Sequence, residues 1–184
     1  MKRRSFLRFI VSAAVTVPFA GAAIAHTPYR QWTVLRQRFL LVHSSRTDPE
    51  SDLIAEQIVE VLDRVLPQAN AMVARAPDEQ RIASLITTGQ AMLAVLRADR
   101  ATDLFRQQGE FEDYQGGMLR ALVSIDDHLL VTTEAFPRNH GWLVTSALVE
   151  NATELGVRTV QETGSRDDVT PHEGALAFAR GEPL

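Results

Sequence analysis

Ser44-Ser45-Arg46-Thr47 sets three hydroxyls and a guanidinium side by side, and two further arginines, Arg75 and Arg97, each lie at the end of a short apolar or alternating run. Arginine grips a carboxylate or phosphate through paired, charge-assisted hydrogen bonds, and hydroxyls donate to the same oxygens. These six residues form the candidate ligand-binding set, with a small organic acid as its first ligand class. Lys2 is the only lysine among 19 basic residues, so arginine is the cation of every surface and each one alone says little. His43 precedes the two serines, yet no nucleophile-elbow pattern surrounds them, which disfavours a hydrolase. No catalytic residue is assigned, and the expected activity is non-enzymatic.

Other clusters offer weaker chemistry. His26 follows Ala25, and a histidine at a chain's N-terminus can chelate copper through its amine and ring nitrogen. A copper-handling role centred on His26 is therefore the alternative reading, with His43, His128, His140 and His172 as the available further ligands. Asp126-Asp127-His128 places two carboxylates beside a ring, in what reads as a solvated turn between strands. Paired carboxylates perform acid–base work only when burial separates their pKa values. Glu110, Glu112 and Asp113 read as a solvated loop. There is no cysteine, no zinc spacing, no phosphate-cradling glycine loop and no repeat, so no cofactor is expected.

The elements that would position these residues alternate. Phe39 to Val42 is a short apolar run, read as a strand, followed by a polar loop rich in N-cap residues. Leu53, Ile54, Ile58, Val61, Leu62 and Val65 then recur at helical spacing until Pro67. The pattern repeats with a strand over 69–74, a helix opened by Ala76-Pro77-Asp78 and capped by Gly89, a strand at Met92 to Leu96, and a short helix over 99–107. Strands at Leu119 to Val123 and His128 to Thr133 flank Asp126-Asp127. A long helix follows over 139–155, then a polar stretch and a short terminal helix within 171–180. Strands alternating with helices predict an α/β fold with a mostly parallel sheet flanked by helices. Ligands of such sheets sit beyond the carboxyl ends of the strands, where the candidate arginines fall.

Residues 1–25 stand apart from this domain. Lys2, Arg3 and Arg4 precede an uncharged apolar run from Phe9 to Ala22, and Ala23-Ile24-Ala25 supplies a small-x-small cleavage pattern. The run is too short for comfortable passage through a hydrocarbon core of about 30 Å, so an export signal is expected and, with it, a periplasmic location. Arg3-Arg4-Ser5-Phe6-Leu7-Arg8 resembles the twin-arginine export motif, with Arg8 in place of its lysine. Four of the 19 basic residues and none of the 23 acidic ones lie in this segment, which leaves 15 arginines against 23 carboxylates and a formal charge of −8. A surface that acidic excludes broad nucleic-acid binding. The remaining organisation is a lead-in over 26–38, a lobe over 39–155 and a polar tail over 156–184.

The stretch from Phe39 to Val123 resembles the first lobe of the TAXI-type solute receptors of TRAP transporters. The similarity runs through Val73-Ala74-Arg75-Ala76, through Ile82 to Val95 with its helix-ending glycine and buried strand, and on to Leu119-Arg120-Ala121-Leu122. Leu130-Val131-Thr132 to Glu150-Asn151 and Pro171 to Leu176 are similar to that family's final strand, helix and tail. The family carries a second lobe between these stretches, whereas here Ile125 passes almost directly to Leu130. Its Gly/Ser-rich loop is replaced by Ser44-Ser45-Arg46-Thr47-Asp48-Pro49. The resemblance implies a single periplasmic-binding-protein-like lobe and a transport-linked binding role. One lobe offers half a cleft, so the expected partners are a small organic acid or a protein, either a membrane transporter or an exported enzyme served as an accessory subunit. A homodimer that rebuilds the second face is a further candidate.

Overall fold

The computed structural model describes residues 39–151, 155–160 and 169–184. Residues 1–25, read above as an export signal, the lead-in over 26–38 with His26, and residues 152–154 and 161–168 lie outside the described residues. The α/β expectation holds. A six-stranded sheet in the order β2-β1-β3-β5-β4-β6 is built from β1 (Leu41–Ser45), β2 (Met72–Ala76), β3 (Leu93–Arg97), β4 (Leu119–Ile125), β5 (His128–Thr133) and β6 (Val157–Thr159). Among the six strands, β1 pairs in parallel with β2 and with β3, and the other pairs are antiparallel. The reason is local. Two residues, Asp126 and Asp127, join β4 to β5, and so short a link can only reverse the chain. Asp126 takes the left-handed conformation that such a turn requires, with φ of 48°.

Five helices flank the sheet: α1 (Pro49–Val65), α2 (Glu79–Thr87), α3 (Ala98–Arg106), α4 (Arg138–Asn151) and α5 (Glu173–Ala179). The crossovers β1-α1-β2 and β2-α2-β3 travel in opposite directions along the sheet. Right-handed connection therefore puts α1 and α2 on opposite faces. α4 packs against α1 and carries α5, while α3 lies against the turns Gly109–Phe111 and Gly116–Met118.

Local chemistry sets the boundaries. Asp48 caps α1 by accepting the Ser51 amide, Pro49 opens the first turn, and Glu50 and Asp52 add negative charge where the helix dipole favours it. Asp78 caps α2 in the same way. Gly89, with φ of 67°, ends α2: its amide bonds the Ile86 carbonyl and that of Gln90 bonds Leu85 at 2.7 Å, which is a Schellman closure. Gly116 is required by close approach, since a Cβ there would stand 1.6 Å from the Leu104 carbonyl oxygen.

The core runs along both faces of the sheet through Val42, Ile58, Leu62, Ile82, Leu93, Leu104, Leu122 and Leu130, all fully buried. Leu53 departs from its expectation. Its spacing on α1 suggested a core position, yet it is 57% exposed while its neighbour Ile54 turns inward. Residues beyond 155, read as a polar tail, also contribute structure: β6 pairs Val157 with Ile125, and Pro171 bridges Ala121 of β4. A register shift between Ala121 and Val123 marks a bulge where that edge of β4 passes from one partner to the other.

Candidate functional site

β2 and β3 lie on either side of β1, so the chain leaves the carboxyl ends of β1 and β3 toward different sides of the sheet. That divergence is the switch point at which α/β sheets place ligands. The six candidate residues all fall at this edge, in two groups. Ser44 and Ser45 belong to β1 and are fully buried, Arg75 lies in β2 in register with Ser44, and Arg97 ends β3. Arg75 and Arg97 are two strand spacings apart, about 10 Å across the sheet.

The first group gathers on Asp52 of α1. Its carboxylate accepts the Ser44 hydroxyl at 2.8 Å and the Arg75 Nε at 2.9 Å, and the Arg75 guanidinium also meets Glu56. Burial pushes the Asp52 carboxyl up, but the Ser44 hydroxyl and the Arg75 guanidinium outweigh it, with Arg46 adding to them, so it lies below its ordinary value. The hydrogen bond to Asp52 raises Arg75 in turn. Arg46 itself is exposed and forms no ion pair among the described residues.

The second group centres on Asp48 and Arg97. Arg97 makes two hydrogen bonds of 3.1 Å to the Asp99 carboxylate, which raise its pKa, with a smaller contribution from Asp48. Between the groups, Ser45 and Thr47 share a hydroxyl–hydroxyl bond of 2.7 Å, and the Ser51 hydroxyl bridges the Ser45 amide to the Asp48 carbonyl. The loop after β1 is thus held by its own hydroxyls, without glycine.

Asp48 does more than cap α1. Its second carboxylate oxygen lies 3.0 Å from Nε2 of His128, the first residue of β5, which is 1% exposed. The Nδ1 of that ring is buried with no hydrogen-bond partner among the described residues. Asp126-Asp127-His128 therefore divides: the two aspartates make the turn, while His128 turns inward to the switch point. His43, one residue before the serines, is also buried and bonds the Leu93 carbonyl through Nδ1 at 3.2 Å.

Sequence reasoning missed Asp48, Ser51, Asp52, Glu56 and Asp99 as partners. A signal was available for some of them. Asp48-Pro49-Glu50-Ser51 is a helix-opening pattern, and Arg97-Ala98-Asp99 sets opposite charges two residues apart. The pairings of Arg75 with Asp52 and of His128 with Asp48 span 23 and 80 residues and have no local signature.

Among the described residues there is no group of three or more histidine, aspartate or glutamate side chains that could hold a metal, and no helix long and apolar enough to cross a membrane. His26 lies outside the described residues. No family model matches the chain, and no curated protein matches it.

Proposed function

We propose that this protein is an exported, non-enzymatic docking lobe that meets a protein partner through the carboxyl edge of its sheet. One observation carries the reading: apart from the exposed Arg46, each anion-binding device at that edge is already filled by a carboxylate of the same chain. Arg75 is held by Asp52 and Glu56, Arg97 by Asp99, and the N-terminus of α1 by Asp48. A free organic acid would exchange one charge-assisted pair for another. It would also lose translational and rotational freedom, an association cost on the order of 4–15 kcal/mol. A protein surface can cover paired charges without displacing them, and the exposed guanidiniums of Arg46 and Arg97 suit an acidic rim on the partner.

The resemblance to one lobe of a TRAP-type receptor supports the same reading, because half a cleft leaves its inner face open to a partner. A membrane transporter or an exported enzyme is the partner class, and the latter makes this chain an accessory subunit. The test is co-purification of the tagged chain from its native envelope, beside the charge-reversed R46E variant. The expected result is a stoichiometric partner that R46E loses while its thermal midpoint stays unchanged. Recovery of the chain alone, or of the same partner with R46E, would count against the proposal.

A further inference from the structure

The C-terminal segment from Val169 to Leu184 is fastened to the domain at three points. Its backbone extends the sheet, with the Ala121 amide bonded to the Thr170 carbonyl at 3.0 Å and the His172 amide to the Ala121 carbonyl at 2.8 Å. α5 then lies on α4 at near-contact. A Cβ on Gly174 would stand 2.2 Å from the Arg138 carbonyl oxygen, and one on Gly141 2.3 Å from the His172 ring. Beyond α5, the Trp142 indole donates to the Glu182 carbonyl at 2.9 Å and meets Phe178 edge-on at 5.6 Å.

His172 stands at the junction of all three, and its two ring nitrogens do opposite work. Nδ1 accepts the Gly174 amide at 3.1 Å and so caps α5, while Nε2 lies 3.0 Å from the Phe136 carbonyl, to which it can only donate. The ring is 3% exposed, packed edge-on to Phe136 at 5.9 Å. A second proton would have to sit on Nδ1, facing the amide hydrogen of Gly174 rather than an acceptor. The uncharged ring fits this socket and the imidazolium does not.

We propose that residues Val169 to Leu184 form an acid-released latch, closed while His172 is uncharged and opened by its protonation. Burial lowers the His172 pKa, with Arg120 acting in the same direction and the Phe136 carbonyl and Glu173 opposing. The sign follows from that depression. The latch is at full strength above the free histidine value of about 6.5 and weakens as pH falls toward the bound value, by up to tenfold in its closed-to-open ratio per pH unit. The other charged groups around the ring make no hydrogen bond to its nitrogens. On α4 these are Arg138, paired with Glu173 and Glu182, and His140, whose ring touches Phe136; on β4 Arg120 pairs with Glu134; beyond α5 Arg180 pairs with Glu182. These carboxylates are held in ion pairs away from the ring nitrogens, and His140 is exposed and outside the hydrogen-bonded socket.

Hydrogen exchange on the full chain between pH 7.5 and 5 tests the latch, with rates corrected for the intrinsic pH dependence of exchange. The expected result is a loss of protection, by at most tenfold per pH unit below about 6.5, at the amides of His172, Leu176, Arg180 and Glu182, while β1 and β3 amides stay protected. His172→Asn keeps an acceptor for the Gly174 amide but cannot titrate, so its latch amides should show no pH response; His140→Gln should respond like the parent. Unchanged protection at the latch, loss in step with the sheet, or a response that survives in His172→Asn would overturn the proposal. Where His172→Asn fails to fold, the comparison of latch and sheet amides in the parent chain decides alone.

Discussion

His128 Nε2 lies 3.0 Å from Asp48 Oδ2, joining the first residue of β5 to the N-cap of α1 across 80 positions of sequence. The contact closes the switch point of the sheet from within, because one carboxylate serves both the helix end and the buried ring.

Removing that carboxylate should therefore cost twice. Asp48→Ala loses the cap on Ser51, about 1 kcal/mol, and strands a buried ring nitrogen, about 1–3 kcal/mol more. Asp48→Asn keeps an oxygen for the cap and should lose less. Urea midpoints at an unchanged m-value check the order, and equal losses would show that the cap contributes nothing.

The glycines of the α4–α5 contact should separate from those of the turns. Gly174→Ala drives a methyl into the Arg138 and Trp142 backbone, and Gly141→Ala drives one into the His172 ring. Overpacking of this kind costs about 1–3 kcal/mol or more, and Gly174→Ala should be the worse because backbone yields less than a side chain. Gly89→Ala meets no atom within 4 Å and bears only the strain of φ at 67°, about 1–2 kcal/mol. Thermal unfolding of the three variants gives the ranking.

Two arginines of similar chemistry should differ in stability. Arg100 joins α2 to α3 through Glu79 at 2.7 Å, reaches Glu110 at 2.6 Å and covers the Phe111 ring at 4.7 Å, with a side chain 23% exposed. Arg100→Ala should cost about 2 kcal/mol through lost charge-assisted bonds and packing. Arg97 pairs with Asp99 on the surface, where solvent screens the pair, so Arg97→Ala should leave stability nearly unchanged. Denaturant unfolding of both variants is the check.

Asp52 should mark the acid limb. Its folded pKa is depressed, so the stability it contributes is present above about 3.9 and is lost as pH falls through the folded value. Arg75→Gln removes one cause of the depression and should flatten the pH dependence of stability below pH 4. Both side chains are partly exposed, so the effect at neutral pH should be small. Acid titrations of the two proteins, followed by circular dichroism, measure the difference.

The fold was legible because local signals agreed with one another. Asp48 and Pro49 open α1, Pro67 follows its end, Gly89 closes α2, and the apolar runs of β1, β3 and β5 are too short for anything but strands. The antiparallel half was less legible, since the alternation of strands and helices suggested parallel pairing until the two-residue turn at Asp126 was taken into account. The candidate arginines fell at the expected edge, but their engagement did not show. Arg75 reads as a free cation in sequence, and only the crossing of α1 over β2 brings Asp52 and Glu56 onto it. His128 reads as a turn residue for the same reason, as the end of β1 that faces it lies 80 residues away.

On the proposed function, the carboxyl edge is closed to small acids and open to a protein. Calorimetric titration of the purified, monodisperse chain with short mono- and dicarboxylates measures this most directly. No binding tighter than about millimolar, a free energy near −4 kcal/mol, is the expected result. A one-to-one complex with a sub-micromolar Kd, lost in Arg75→Gln or Arg97→Gln, would contradict it.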